Sequence, residues 1–229
     1  MIDDGLAASK GQRRHGANED ERDGATHGRV LRLLRRGIAT CRGAVVRSTS
    51  ARRAGEKCLF RRKNPLAEFA SAVYARTAGQ ARAPELFRSC GIPDTLDGRF
   101  DALALHASLM IDRLRREPDG EVLAQEFFDA MFRHLDLTLR ELGVQDLGVG
   151  RRIKIMAEGL HGRALAYRAA LAGGPTPLAE VLRRNAYGGR SPVDDDMVAR
   201  LEAYVRRQAA RLAETPRNNL NSTENGPSP

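Results

Sequence analysis

Residues 86–101 read LFRSCGIPDTLDGRFD, a stretch of rigid and charged residues between two apolar runs. Gly91 can end a helix in the left-handed backbone conformation, and Pro93 fixes the backbone of the turn that follows. Asp94, with Asp97 three residues later, can cap the next helix. The stretch therefore predicts two helices joined by a short and well-defined turn.

The chain from residue 64 onward carries the same helix punctuation and no convincing strand pattern of period two. Three cap residues stand directly before prolines, at Asn64-Pro65, Thr176-Pro177 and Ser191-Pro192. We predict an all-α protein with one compact multi-helix domain (64–213), after a disordered basic segment (1–63) and before a short disordered tail (214–229). The predicted helices are 65–79, 83–89, 96–117, 120–142, 149–171, 177–185 and 192–212.

Two of these helices show a clear apolar face, and the fifth is expected to be central. Gly159 and Gly162 each lower helix stability by about 1 kcal/mol relative to alanine. Their presence indicates that another helix approaches the fifth closely there. Its predicted core residues are Val149, Ile153, Met156, Leu160, Ala164, Tyr167 and Leu171. Those of the fourth helix are Leu123, Phe127, Phe128, Met131, Leu135, Leu139 and Leu142.

The basic excess of the chain lies entirely in its leading segment. Residues 1–63 carry 16 Lys and Arg against 7 Asp and Glu, whereas residues 64–229 carry 22 of each. The neutral body argues against a general nucleic-acid binder, because phosphate contacts need basic residues. The region between Asp23 and Glu56 looks like an organellar transit peptide, but we favour a translation start near Leu59. Three scattered cysteines fit a reducing compartment, and no apolar run is long enough to span a membrane.

Two later stretches complete a recognisable pattern: FFDAMFRHLDLTLRELGV at 127–144 and VGRRIKIMAEGLHGRALAY at 149–167. With 86–101, they resemble the ubiquinol-cytochrome c reductase (bc1 complex) assembly chaperone family in order and spacing, over roughly residues 65–188. The resemblance implies a helical, non-enzymatic chaperone, without a cofactor, that binds newly synthesised cytochrome b during assembly of the bc1 complex.

The resemblance also implies a client-binding face. Asp129, Asp136, Arg140 and Glu141 match the FDxMFxxMDxxLREMG-like motif of the family, although Leu135 and Leu142 replace its methionines, and Leu160 and His161 replace residues that are usually aromatic. The implied client-binding residues are Asp94, Thr95, Asp97, Arg99, His106, Asp129, Asp136, Arg140, Glu141, Arg151, Arg152, Lys154, Arg163 and Tyr167.

Taken alone, the same residues allow ordinary structural interpretations. Asp129, Arg133, Asp136 and Arg140 alternate in sign at helical spacing, as in a solvated ion-pair ladder. Arg151, Arg152 and Lys154 are predicted in the first turn of the fifth helix, where cations need an anion nearby, either internal or from a partner. His106 has no carboxylate three or four residues away, which favours a structural histidine.

Catalysis and metal binding are not expected. Glu158 and His161 form one E-x-x-H pair, half of what a di-iron site needs. Nucleophile, phosphate-binding and zinc motifs do not occur in the sequence.

The resemblance implies cytochrome b as client, a second assembly factor and the ribosome as further partners, and peripheral contact with the inner membrane, with no specific DNA. We expect the bacterial cytoplasm, or the mitochondrial matrix if the source is eukaryotic. Two alternatives stay open. A helical quinone or lipid carrier needs a deep apolar pocket between the fourth and fifth helices, and a ribosome- or RNA-associated protein would act through the basic lead.

Overall fold

The computed structural model describes residues 64–143, 146–188 and 193–222, and regular structure in these ranges is helical throughout. The all-α prediction is therefore confirmed for the described residues. The segment 1–63, with its predicted disorder and translation start, lies outside them, as do residues 223–229. The helices are α1 (Pro65–Gln80), α2 (Pro84–Arg88), α3 (Leu96–Leu114), α4 (Gly120–Glu141), α5 (Asp146–Leu171), α6 (Leu178–Ala186) and α7 (Asp195–Glu214), followed by a 3-10 turn, Arg217–Asn219.

The turn before α3 follows the sequence prediction except for its cap. Gly91 has a φ of 70°, as expected for a residue that ends a helix in the left-handed conformation. The cap of α3 is Thr95, whose hydroxyl accepts a hydrogen bond of 3.1 Å from the backbone N–H of Gly98. The predicted Asp94 cap is wrong because the Asp94 carboxylate instead binds Arg99.

The other helix starts are partly as predicted. Asn64 caps α1, since its side chain accepts from the backbone N–H of Leu66 at 3.1 Å. The start of α5 lies three residues before the predicted Val149, and Pro177 precedes α6 rather than opening it. The predicted cap and start of α7, Ser191 and Pro192, lie outside the described residues. The helix has Asp195 as its first residue, and the Asp194 carboxylate caps it by accepting a hydrogen bond of 2.8 Å from the Asp196 N–H.

The central helix is α3, which contacts α1, α4, α5, α6 and α7, whereas α5 contacts only three helices strongly. The prediction that α5 is central is therefore wrong. Ala102, Ala104 and Ala107 of α3 are completely buried, and their small side chains let several helices pack around one. The predicted glycine contact is also wrong. A Cβ at Gly162 would meet nothing within 4 Å, and one at Gly159 would meet only Arg163 of its own helix.

Most of the predicted core residues are buried or half-buried. The clear exception is Leu142, which follows the end of α4 and is 58% exposed. Phe132, which the predicted face omits, is buried. The predicted tail also begins too early: α7 ends at Glu214, and Leu220 beyond it is fully buried, with its carbonyl accepting from Arg76 at 2.9 Å.

Within the described ranges, no helix combines the length and apolar character that crossing a membrane would require.

Candidate functional site

The start of α3 presents an exposed ion pair. The Arg99 Nε donates to the Asp94 carboxylate at 2.6 Å, and both side chains are more than half exposed. The hydrogen bond from Arg99 lowers the pKa of Asp94 below its ordinary value. Leu96 is 56% exposed in the same turn, and Asp97 is exposed as well. We call Asp94, Leu96, Asp97 and Arg99 the α3-start group.

Behind this group, a partly buried ion pair joins α3 to α5. The Arg163 Nη2 donates to the Asp101 carboxylate at 2.6 Å, and the Asp101 side chain is only 7% exposed. Burial raises the pKa of Asp101, and Arg163 opposes that shift. The Arg163 guanidinium also lies 5.7 Å from the centre of the Phe100 ring. Arg163 is therefore a positioning residue that holds α5 against the start of α3.

The ends of α4 and α5 that flank the turn between them carry a second set of residues, all exposed except the half-buried Asp136. Arg140 donates to Asp136 at 2.8 Å, and Lys154 lies 3.8 Å from Glu158. The hairpin group, as we name this set, consists of Asp136, Leu137, Arg140, Glu141, Leu142, Arg151, Arg152, Lys154 and Ile155.

The ladder predicted on α4 is present only in part. Asp136 and Arg140 form an ion pair, but Asp129 accepts a hydrogen bond of 2.7 Å from Gln125. Burial raises the pKa of Asp129. Arg151 and Arg152 are exposed, and they lie in the second turn of α5 because the helix begins at Asp146. The expected conflict with the helix dipole is therefore weaker, since that effect is confined to the first turn.

Exposed large hydrophobic residues concentrate in the same two groups. The described residues include five that are more than half exposed, and four of them are sequence neighbours of charged residues implied for client binding: Leu96 of Asp97, Leu137 of Asp136, Leu142 of Glu141 and Ile155 of Lys154. Only Val122, at the start of α4, lies elsewhere. None of the four was predicted as a site residue from the sequence, and Leu142 was assigned to the core of the fourth helix. Their one available signal was that Leu137 and Ile155 fall outside the predicted core faces.

Two residues that the resemblance placed on the client-binding face lie inside the protein. His106 is 3% exposed and Tyr167 is 1% exposed. The His106 Nδ1 lies 2.8 Å from the carbonyl of Ala102, and its Nε2 lies 2.7 Å from the Tyr204 hydroxyl. Burial lowers the pKa of His106 to about 4, so the ring is neutral. The placement of His106 and Tyr167 on a binding surface is corrected, because both belong to the core. Thr95 is exposed and also caps α3.

A metal site is not formed among the described residues, which bring no three His, Cys, Asp or Glu side chains together as potential ligands. Glu158, one half of the E-x-x-H pair, lies beside Lys154.

Comparison with known proteins extends these observations. The family model described as ubiquinol-cytochrome C chaperone matches residues 88–225, which is more than half of the chain and includes α3 to α7. The crystal structure of the Cbp3 homolog from Brucella abortus is 36% identical and covers 72% of this chain and 92% of that chain, with a TM-score of 0.60. The curated proteins include no match.

Proposed function

The chain belongs to the ubiquinol-cytochrome C chaperone family, and we propose that it binds newly synthesised cytochrome b during assembly of the bc1 complex. The chaperone role in assembly of ubiquinol-cytochrome c reductase follows from the family. Cytochrome b as the client, the absence of catalysis and a site of action in the bacterial cytoplasm beside the inner membrane are parts of the proposal. A second assembly factor and the ribosome are proposed as further partners.

The observation that carries the proposal is the concentration of exposed apolar side chains in the α3-start and hairpin groups. Exposed apolar patches that are surrounded by charged residues are typical of protein-binding surfaces. Leu96, Leu137, Leu142 and Ile155 are all more than half exposed. A client that covers them would remove their apolar surface from water, which stabilises the complex by about 25 cal/mol for each Å² buried. This is the driving force that a chaperone for a hydrophobic client needs.

The charged residues of the two groups supply orientation rather than most of the affinity. Asp94 with Arg99 and Asp136 with Arg140 form ion pairs whose partners are already in place before a client arrives. Preformed pairs cost little further side-chain entropy on binding, and complementary charges on the client set the register of the complex. Recognition by such a surface requires no chemical step.

The connection between the two groups runs along α5. Arg152 of the hairpin group and Arg163, which holds the start of α3, are 11 residues apart on this helix, or about 16 Å at 1.5 Å per residue. That separation is within the reach of one extended or helical client segment. We therefore treat the two groups as parts of one client surface.

The test compares apolar residues inside and outside that surface. Leu137 and Ile155 are each changed to serine, alone and together, and Val122→Ser serves as the matched control, since Val122 is 51% exposed but outside both groups. Each full-length variant is produced in a host that lacks its own copy, and capture of newly synthesised cytochrome b is measured. We expect the double variant to lose most of the captured client and Val122→Ser to keep it.

Folding controls and alternatives are part of the same experiment. Serine at exposed positions should change the free energy of unfolding by about 0.5 kcal/mol or less, measured by urea unfolding. Equal capture by the double variant and Val122→Ser would contradict the proposed surface. If deletion of residues 1–58 alone abolishes capture, in a manner steeply dependent on salt, the ribosome- or RNA-associated alternative takes its place.

A further inference from the structure

A cavity of about 370 Å³ lies between α3, α5 and α7, away from both client-surface groups. Four alanines line it: Ala164 on α5, Ala172 directly after the end of α5, and Ala209 and Ala213 on α7. Ala209 and Ala213 are four residues apart and therefore lie on one side of α7. Methyl side chains do not fill the space between the helices. The position also differs from the pocket between α4 and α5 that the carrier alternative required.

The polar lining of the cavity is mainly cationic. Arg113, Arg116, Arg168 and Arg206 line it, against a single carboxylate, Asp112. Arg113 and Arg206 pair with Glu117 and Glu202 outside the lining, so the guanidiniums exceed their carboxylates by one. Such an excess favours an anion, because guanidinium N–H groups match carboxylate and phosphate oxygens in geometry.

The four arginines are not equivalent. All three nitrogens of the Arg113 guanidinium already bond within the protein. Its Nε donates to the Leu212 carbonyl at 2.7 Å, its Nη2 to the Thr215 carbonyl at 2.9 Å, and its Nη1 to Glu117. Arg206 is held by Glu202 through Nε and Nη2.

Arg116 and Arg168 share the one carboxylate of the cavity. The Arg168 Nε lies 2.9 Å from one Asp112 oxygen, and the Arg116 Nη2 lies 2.8 Å from the other. Among the described residues, neither guanidinium donates a further hydrogen bond to the protein, so each keeps N–H groups for another acceptor. The shared acid leaves one positive charge of this pair without a counter-charge in the cavity.

The inner wall is mostly apolar, with two hydroxyl side chains, Ser108 and Tyr167; the Ser108 hydroxyl donates to the Ala104 carbonyl. Leu109, Leu171 and Leu212 line the cavity together with the alanines. Tyr167 also lines it, and its buried hydroxyl has no hydrogen-bond partner among the described residues. Leaving a buried hydroxyl unsatisfied costs about 1–3 kcal/mol, and a ligand atom or a water that reached it would remove this cost.

We propose that this cavity binds a small amphipathic anion: a carboxylate or phosphate group on Arg116, Arg168 and Arg206, with a short apolar chain against Leu109, Leu171 and Leu212. The volume is in the range of small-molecule sites, and the combination of an apolar wall with a few convergent polar groups is typical of them. The site is separate from client binding, and it does not depend on the proposed function.

The first test uses ligands that separate the charge from the chain. Decanoate, decyl phosphate, decanol and inorganic phosphate are titrated into the full-length protein at concentrations below micelle formation, and heat of binding is measured. We expect saturable one-to-one binding of decanoate or decyl phosphate, and at least about tenfold weaker binding of decanol and of inorganic phosphate. The ratio between decanoate and decyl phosphate identifies the preferred head group.

The second test uses two arginines in equivalent local settings. Arg206 bonds to Glu202 and Arg184 bonds to Glu180, each the glutamate four residues earlier, but only Arg206 lines the cavity. Arg206→Gln should weaken binding by about fivefold or more, whereas Arg184→Gln, with the same change in charge, should leave it within about twofold. Ala209→Leu, which fills the cavity, should abolish binding in a protein whose helical circular dichroism and melting curve are unchanged.

Three results would overturn the proposal: no saturable binding of either amphipathic anion, equal affinity for decanol and decanoate, or equal loss in the Arg206→Gln and Arg184→Gln variants. If Ala209→Leu does not fold, Ala213→Leu, one turn further along α7, is tested instead. Normal binding of decanoate by this folded variant would also contradict the proposed binding site.

Discussion

The Arg163 guanidinium donates a hydrogen bond of 2.6 Å to the Asp101 carboxylate, and this bond connects the middle of α5 to the first turns of α3. Arg163→Met would leave Asp101 as an unpaired acid that is only 7% exposed. Such a change removes the partner of a buried charge, so we expect a loss of about 2–4 kcal/mol in the free energy of unfolding, measured in urea.

The control is the double variant Asp101→Asn with Arg163→Met, in which no buried charge is left unpaired. It should be more stable than Arg163→Met alone, because the desolvated carboxylate is gone. Equal instability of the two variants would show that Arg163 acts by packing on Phe100 rather than by pairing with Asp101.

The buried His106 should make the free energy of unfolding depend on pH. Burial lowers the pKa of the folded-state imidazole from 6.5 to about 4. The neutral ring therefore contributes stability that is fully present above pH 6.5 and is lost as pH falls from 6.5 towards 4. The full loss is roughly 3 kcal/mol, at 1.36 kcal/mol per pKa unit. Urea unfolding at pH 7, 5 and 4 measures it.

The matched variant is His106→Gln, which removes the titrating ring while keeping a polar side chain of similar reach. We expect it to be less stable than the wild type at pH 7, because Tyr204 loses the ring as its partner, and the difference should shrink as pH falls to 4. Parallel pH profiles of the two proteins would contradict the assignment of this dependence to His106.

Local signals in the sequence were enough to find the helices, and their limits explain what was missed. Asn64-Pro65 and Gly91 act on their own neighbours, so their effects can be read without a tertiary structure. The central position of α3 depends instead on how many helices can pack against its buried alanines. This number is a property of the tertiary packing and cannot be read from one helix alone. The stronger apolar periodicity of α5 therefore led to the wrong helix being predicted as central.

The residues of the candidate site were likewise only partly predictable from the sequence. The charged positions could be proposed from the family motifs, but burial could not, so His106 and Tyr167 were placed on a surface although both are in the core. Leu142 shows the reverse error: periodicity assigned it to the core, yet α4 ends at Glu141, and Leu142 is exposed. Exposed apolar residues are the feature that a rule based on periodicity is least able to find.

Charge reversal on the client surface should separate binding from folding. Asp136→Lys and Arg152→Glu change exposed or half-buried side chains, and we expect each to alter the free energy of unfolding by less than about 1 kcal/mol. Capture of newly synthesised cytochrome b should fall much further, with normal levels of the chaperone itself. Arg184→Glu, an exposed reversal outside both groups, is the control and should leave capture intact.

If Asp136→Lys and Arg152→Glu instead lower the melting temperature and the steady-state level of the protein together, the charges belong to ion-pair networks that hold the helices. The hairpin group would then lose its charged half as a recognition surface.

The two glycines Gly98 and Gly162 should respond in opposite directions to the same change. A Cβ at Gly98 would lie 1.9 Å from the Pro93 carbonyl oxygen, a backbone atom that can move only if the turn before α3 moves. Gly98→Ala should therefore destabilise the protein, by about 2–4 kcal/mol, and displace Asp94 from Arg99. A Cβ at Gly162 meets nothing within 4 Å inside α5, so Gly162→Ala should stabilise it by about 0.5–1 kcal/mol. Urea unfolding of both variants measures the two effects. Stabilisation by Gly98→Ala would mean that Pro93 does not approach α3 as closely as the fold requires.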